Sequence, residues 1–167
     1  MGSNVIPMPV HQDGVVYVAS GHRQPAMLAI QLDKAKGDIT GTDAVLWSIA
    51  ENTPYVSSPI LYGGRLYFVK NRNAILSSYD PKTGEPVFGP TRLKGMGPIY
   101  SSLIGVGDRI YISDLDGNTL VIKNSAQFEE LAMNKLDEGI AASPVAIGDE
   151  LFIRGHGHLY CIATASN

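Results

Sequence analysis

The side chains of this 167-residue chain that could do chemistry fall into four small groups. His156 and His158 stand two apart. Imidazoles at that spacing share one face of a strand and could chelate a transition metal. Asp114, Asp116 and Asn118 place oxygen ligands at alternate positions, as the start of a calcium loop does. Ser57-Ser58 and Ser101-Ser102 offer hydroxyls, and Cys161 is the single thiol.

Each group lacks the partners that its chemistry needs. Gly155 and Gly157 mark the histidines as a solvated turn pair, and the other histidines, His11 and His22, belong to a distant part of the chain. The glutamate that would close a calcium loop at its twelfth position is replaced by Ser125. Runs at Ile110–Ile112 and Leu120–Ile122 make the acidic segment a β-hairpin turn instead. Asp80, Asp108, Asp116 and Asp149 likewise suit turns. A lone cysteine forms neither an internal disulfide nor a paired-cysteine zinc site, and its neighbours Leu159, Tyr160 and Ile162 predict a buried thiol. No phosphate loop, nucleophile elbow or His-Glu-x-x-His helix is present.

The elements that carry these residues repeat. Gly14-Val15-Val16-Tyr17-Val18 returns as Gly64-Arg65-Leu66-Tyr67-Phe68-Val69, then as Gly107-Asp108-Arg109-Ile110-Tyr111-Ile112, then as Gly148-Asp149-Glu150-Leu151-Phe152-Ile153. A short segment rich in small residues precedes each: Pro9-Val10, Ser58-Pro59-Ile60, Ser102-Leu103-Ile104 and Ser143-Pro144-Val145. The aromatics Tyr17, Tyr67, Tyr111 and Phe152 lie 50, 44 and 41 residues apart. That period fits a propeller blade of four short antiparallel strands. The segments alternate with period two and carry β-branched and aromatic residues, which excludes a helical repeat.

Third strands follow at Met27–Ile30, Ile75–Tyr79, Leu120–Ile122 and Leu159–Ile162, behind turns rich in Gly and Asn. Fourth strands are expected around Val45–Trp47, Val87–Phe88 and Phe128–Leu131, with a longer loop between Asp33 and Asp43. The expected architecture is all-β: a partial β-propeller of about four blades of four-stranded antiparallel sheets, over residues 5–52, 53–97, 98–139 and 140–167, the last blade one strand short. In this setting the paired serines lie on the innermost strands, where converging strands need small side chains, and they pack or line the propeller axis.

Bulk properties narrow the function. A net charge of −3 gives no electrostatic footprint for nucleic acid. No apolar stretch reaches the ~18 residues of a membrane-spanning helix. Met1-Gly2-Ser3 reads as an expression remnant or a start inside a longer gene, and no charged-then-apolar leader follows it.

Ser78-Tyr79-Asp80-Pro81-Lys82-Thr83-Gly84-Glu85-Pro86-Val87-Phe88 resembles the tryptophan-docking motif of quinoprotein-type propellers, Ala-x-Asp-x-x-Thr-Gly-Lys-x-x-Trp. Asp80, Thr83 and Gly84 stand in register, while Ser78, Glu85 and Phe88 replace the Ala, Lys and Trp. The first repeat keeps the tryptophan as Trp47. The third keeps only the spacing, from Val121 to Leu131. The chain is similar over nearly its whole length to PQQ-binding-like β-propeller repeat proteins, and its segments Leu131–Gly139, Ala142–Val145 and Leu159–Ile162 resemble their C-terminal end.

The resemblance implies a ring of seven or eight blades of which this chain is the C-terminal half, and a periplasmic or extracellular location. In it, Asp80, Thr83, Gly84, Phe88 and Trp47 join blades. It extends to propeller lipoproteins that help to fold outer-membrane proteins, which implies a non-catalytic scaffold or binding module. Tyr55, Arg72, Tyr100, Arg154 and His156 are the candidates to reach a binding face. No cofactor is expected. The alternative is a fragment of a quinone-dependent dehydrogenase, with pyrroloquinoline quinone and calcium; its pair of adjacent cysteines is missing here. Expected partners are another protein, the missing half of the ring, or a second copy of the chain.

Overall fold

The computed structural model describes residues 1–2 and 4–164. It contains four antiparallel sheets, each a blade. Blade one holds β1 (Val10–Gln12), β2 (Val15–Ser20), β3 (Ala26–Gln31) and β4 (Val45–Ile49). Blade two holds β5 (Ile60–Tyr62), β6 (Arg65–Lys70), β7 (Ile75–Tyr79) and β8 (Pro86–Arg92). Blade three holds β9 (Ile104–Val106), β10 (Arg109–Ser113), β11 (Asn118–Lys123) and β12 (Glu130–Lys135). Blade four has three strands among the described residues: β13 (Val145–Ile147), β14 (Glu150–Arg154) and β15 (Leu159–Ala163).

Strand order within every sheet follows the chain, and the registers repeat. Val10 faces Tyr17, Ile60 faces Tyr67, Ile104 faces Tyr111 and Val145 faces Phe152. Successive side chains on a strand point to opposite sides. Each blade therefore has a leading face turned to the next blade and a trailing face turned to the one before. Tyr17 and Ala29 lead in blade one, as Tyr67 and Ser78 do in blade two. Leu66 and Phe68 trail in blade two, as Ile110 and Ile112 do in blade three.

The core lies between blades rather than within them. Tyr17, Ala19, Met27 and Ala29 pack on Leu66 and Phe68 across the first junction. Tyr67, Val69 and Leu76 pack on Ile110, Ile112, Leu120 and Ile122 across the second, with Leu93, Met96 and Ile99 from the connecting segment. The third junction is looser. Tyr111 and Thr119 face Leu151, Ile153 and Ile162 across a cleft of about 460 Å³.

The motif turn makes the first junction specific. Asp80 Oδ1 accepts from the amides of Lys82 (2.8 Å) and Thr83 (3.1 Å), closing the turn between β7 and β8. The Pro81 carbonyl then faces blade one, where it accepts from Trp47 Nε1 (2.9 Å) and the Tyr17 hydroxyl (3.1 Å). Gly84 adopts φ +71°, and a Cβ there would lie 2.6 Å from Trp47 Cγ. At the second junction the Tyr67 hydroxyl reaches Asn124 Oδ1 (2.8 Å), and Phe88 meets Phe128 edge-on at 6.2 Å.

Two expectations are corrected. The fourth strand of blade three runs Glu130–Lys135, not Phe128–Leu131. The Ser125 hydroxyl closes a tight turn on the Gln127 carbonyl (2.6 Å), and this leaves Phe128 outside the strand, packed on the next-lower blade. Cys161 is exposed rather than buried. It occupies the leading-face position of Ala29 and Ser78, both fully buried, but among the described residues no fifth blade covers it.

Gly84→Ala should destabilise the fold by at least about 1–2 kcal/mol, because an L-residue is forced into the left-handed region against the indole. Ser78→Ala should do the reverse, by about 1 kcal/mol, since the buried Ser78 hydroxyl has no hydrogen-bond partner. Urea unfolding followed by the fluorescence of the single tryptophan, Trp47, reads both.

Candidate functional site

Antiparallel order sends the turn between second and third strands, and the connection from one blade to the next, to the same end of the propeller. The other end carries the motif turn. Polar side chains fix the backbone of the connector end at every blade. Buried Asn71, after β6, accepts at Oδ1 from the amides of Tyr55 (2.8 Å) and Val56 (2.9 Å) in the segment entering its blade. Its Nδ2 donates to Ser57 Oγ (2.9 Å) and to the Ile99 carbonyl in the segment leaving it.

Asp114 stands at the matching place in blade three and is fully buried. Oδ1 accepts from the amides of Asp116 (3.0 Å) and Asn118 (2.8 Å). Oδ2 accepts from the Gly97 amide (2.7 Å) and Asn118 Nδ2 (2.9 Å). Both oxygens are thus saturated by the hairpin and the entering segment, and they do not fit a calcium loop.

Blade four has Gly155 at this place, so the carboxylate comes from the other partner. Glu138, in the entering segment, accepts from the Gly157 amide, from His158 Nδ1 (2.8 Å) and from the Tyr160 hydroxyl (2.6 Å). The Tyr160 hydroxyl, then the Gly157 amide, hold the carboxyl down at about 2, with His158 adding to the effect. The histidine turn is therefore not merely solvated: His158 is exposed yet tethered. Glu138 escaped the sequence reading because its three partners lie 19 to 22 residues away, and no local pattern joins them.

All five candidate binding residues map to the connector end. Arg72 and His156 are exposed on second-to-third-strand turns, Arg154 is exposed at the end of β14, and Tyr100 is 44% exposed on the segment entering blade three. Arg154, Gly155 and His156 border a shallow hollow with Ala141 and Ala142. Tyr55 is half-buried and stacks on His22, with ring centroids 5.4 Å apart. No hydrogen bond joins the five to one another among the described residues.

The paired serines turn out to be joints. They sit just before the innermost strands, not on them. The Met8 amide donates to Ser58 Oγ (2.9 Å), the Ser58 amide to Ser102 Oγ (3.0 Å), and the Ser102 amide to Ser143 Oγ (2.8 Å). One ladder thus runs across all four blades, along a concave wall of about 600 Å³. Ser57 and Ser101 are buried behind it; the Ser101 hydroxyl donates to the Ser113 carbonyl (2.7 Å). The hydroxyls have no adjacent base and serve assembly.

A family profile described as outer membrane protein assembly factor BamB matches residues 3–167. The chain belongs to that family. No functionally curated protein matches it in sequence. Among solved structures, BamB from Moraxella catarrhalis superposes with a TM-score of 0.67 at 12% identity, over 94% of this chain and 42% of that one. The computationally designed Ika4 protein gives 0.68 at 10% identity, over 99% of this chain and 100% of that one. A europium-containing methanol dehydrogenase gives 0.57 at 13%, over 79% and 24%. The chain therefore spans less than half the length of the BamB chain it matches.

The fold is thus that of the PQQ-type propellers, to which BamB and the dehydrogenase both belong. Among the described residues no three His, Cys, Asp or Glu side chains gather as they would around an ion. Both oxygens of Asp114, the one fully buried carboxylate among the described residues, are taken up by hydrogen bonds within the chain.

A carboxyl whose pKa falls on folding, here from the usual 4.5 to about 2, contributes stability that is present above pH 4.5 and lost as the pH falls to 2. Protection of the Gly157 amide in hydrogen exchange should fall across that window. Glu138→Gln should lower the protection at pH 7 and abolish its acid dependence.

Proposed function

We propose that this chain is a non-catalytic scaffold whose connector end binds a protein partner. The observation that carries the reading is the division of labour among its polar groups. Asn71, Asp114 and Glu138, which could do chemistry, are consumed in fixing the connector backbone. Above that fixed backbone Arg72, Tyr100, Arg154 and His156 stay exposed. Arginine and tyrosine are enriched among the side chains that dominate protein interfaces, because each buries a large area and still carries hydrogen-bonding groups.

The family description, an assembly factor for outer membrane proteins, supports a protein partner and a periplasmic site of action. No helix is long and apolar enough to cross a membrane among the described residues. The leading and trailing flanks of the blade run are a separate matter, because they require cover by further blades or by another chain.

A photo-crosslinking residue at Tyr100 should capture a partner in cells that assemble outer-membrane proteins, and Arg72→Glu should weaken the capture. The same residue at Lys82, exposed at the opposite end, should not. Equal capture at both places would overturn the assignment of the face. Adding pyrroloquinoline quinone with calcium tests the enzyme reading: a quinone absorbance band with dye-linked alcohol oxidation would replace the scaffold by a dehydrogenase fragment.

A further inference from the structure

The charges of this chain are sorted between the two ends of its blades. The net charge is −3, but most of the acidic side chains stand at the end that carries the motif turn. Asp13, Asp33, Asp80, Glu85, Asp108 and Asp149 lie there, in turns of all four blades. At the connector end the balance reverses. Arg23, Lys70, Arg72, Lys94 and Arg154 are exposed on its turns, connecting segments and strand ends. Arg92 and Lys135 are exposed where β8 and β12 reach it.

The bases at the two ends also differ in what they touch. The three ion pairs that Lys or Arg make among the described residues are Lys34–Asp43, Arg109–Asp108 and Lys123–Glu129, and all three lie at the motif-turn end. At the connector end no Lys or Arg pairs with a carboxylate among the described residues. Two of the carboxylates at that end are engaged elsewhere: Asp114 is buried and hydrogen-bonded, and Glu138 is held by Gly157, His158 and Tyr160. Glu51, Asp116 and Asp137 remain as its exposed acidic groups.

We propose that the partner of the connector end presents an acidic, extended protein segment whose carboxylates pair with Arg23, Lys70, Arg72, Lys94 and Arg154. This rests on the reading of that end as a protein-binding face and names the chemistry that the face takes. Bases without a partner in their own chain favour a surface of opposite sign. They run from blade one to blade four, which calls for a segment drawn out across the face. Most are arginines, whose planar fork matches a carboxylate. The acidic motif-turn end repels such a segment while the connector end attracts it, so encounter is oriented before contact. A nucleic-acid duplex or an anionic membrane presents unbroken negative charge and would press on Glu51, Asp116 and Asp137 as well. A segment with spaced carboxylates can run between them. Further blades at either flank would leave these bases at the same end.

Fluorescence anisotropy of the purified chain with two labelled peptides of equal length tests the proposal. One alternates Glu with Ser, the other Gln with Ser. The Glu peptide should bind and the Gln peptide should not. Raising the salt from about 0.1 M to about 1 M shortens the screening length from about 10 Å to about 3 Å, and should weaken binding by about tenfold or more. Arg72→Glu combined with Arg154→Glu should weaken it by about tenfold, whereas Lys36→Glu combined with Lys82→Glu, at the motif-turn end, should change it by less than about twofold. Unchanged Trp47 fluorescence shows that both double variants are folded. Equal binding of the two peptides, binding indifferent to salt, or equal loss in the two double variants would each overturn the acidic segment. Tighter binding to phosphatidylglycerol vesicles or to duplex DNA than to the Glu peptide would also overturn it. Capture at Tyr100 in cells separates the two failures. Capture that persists in Lys94→Glu combined with Arg154→Glu, without peptide binding, overturns the acidic segment and leaves the binding face standing. Loss of both capture and peptide binding in the unaltered chain removes the face itself.

Discussion

Everything in this molecule depends on one requirement: a blade flank must be covered by the next blade. Four short strands cannot bury a core of their own, so the apolar side chains go to the faces between sheets. At the first junction the requirement is met by an indole seated on Gly84, with Pro81 O accepting from both Trp47 and Tyr17. The glycine is needed twice over, for the left-handed turn and for the space that the ring occupies. The second junction keeps the tyrosine staple and replaces the indole by a Phe88–Phe128 contact. The third has neither, and there the blades part to leave a cleft.

The polar design follows from the same requirement. Blades that touch by apolar faces could slide along one another. Hydrogen bonds at both margins prevent it. Near the axis, the serine ladder fixes neighbouring blades at one height. At the connector end, Asn71 and Asp114 each tie a turn to the segment that enters the blade, so the register set at the axis is held at the rim. Glu138 does the same with donor and acceptor exchanged between turn and connector. Asp114 and Glu138 are saturated in this way, and their carboxylates serve the turns that they close.

The repeat was legible because it rests on patterns of period two and on Gly-containing turns, which act over a few residues. Tyr17, Tyr67, Tyr111 and Phe152 locate the blades, and Asp80–Gly84 names their kind. What was not legible depends on partners far along the chain. Glu138 carries no local mark, because its role is set by a glycine at position 155 that leaves the turn without a side chain of its own. Phe128 reads as a strand residue until Ser125 is seen to close the turn before it. Cys161 reads as buried because its neighbours are apolar, and every internal blade does bury that place. Its exposure depends on what stands beside blade four, which no window of sequence contains.

The ends of the run therefore decide how far the fold can be understood from one chain. A repeat that buries its faces only against copies of itself has two unsatisfied faces wherever it stops, and their chemistry is inherited from the interior. Here Val16, Val18, Leu28 and Ile30 keep the apolar character of an interior face, as do Val145, Phe152 and Leu159 at the far end. These outer faces are built as the Leu66 and Tyr67 faces inside the run are built, for cover by a neighbouring blade.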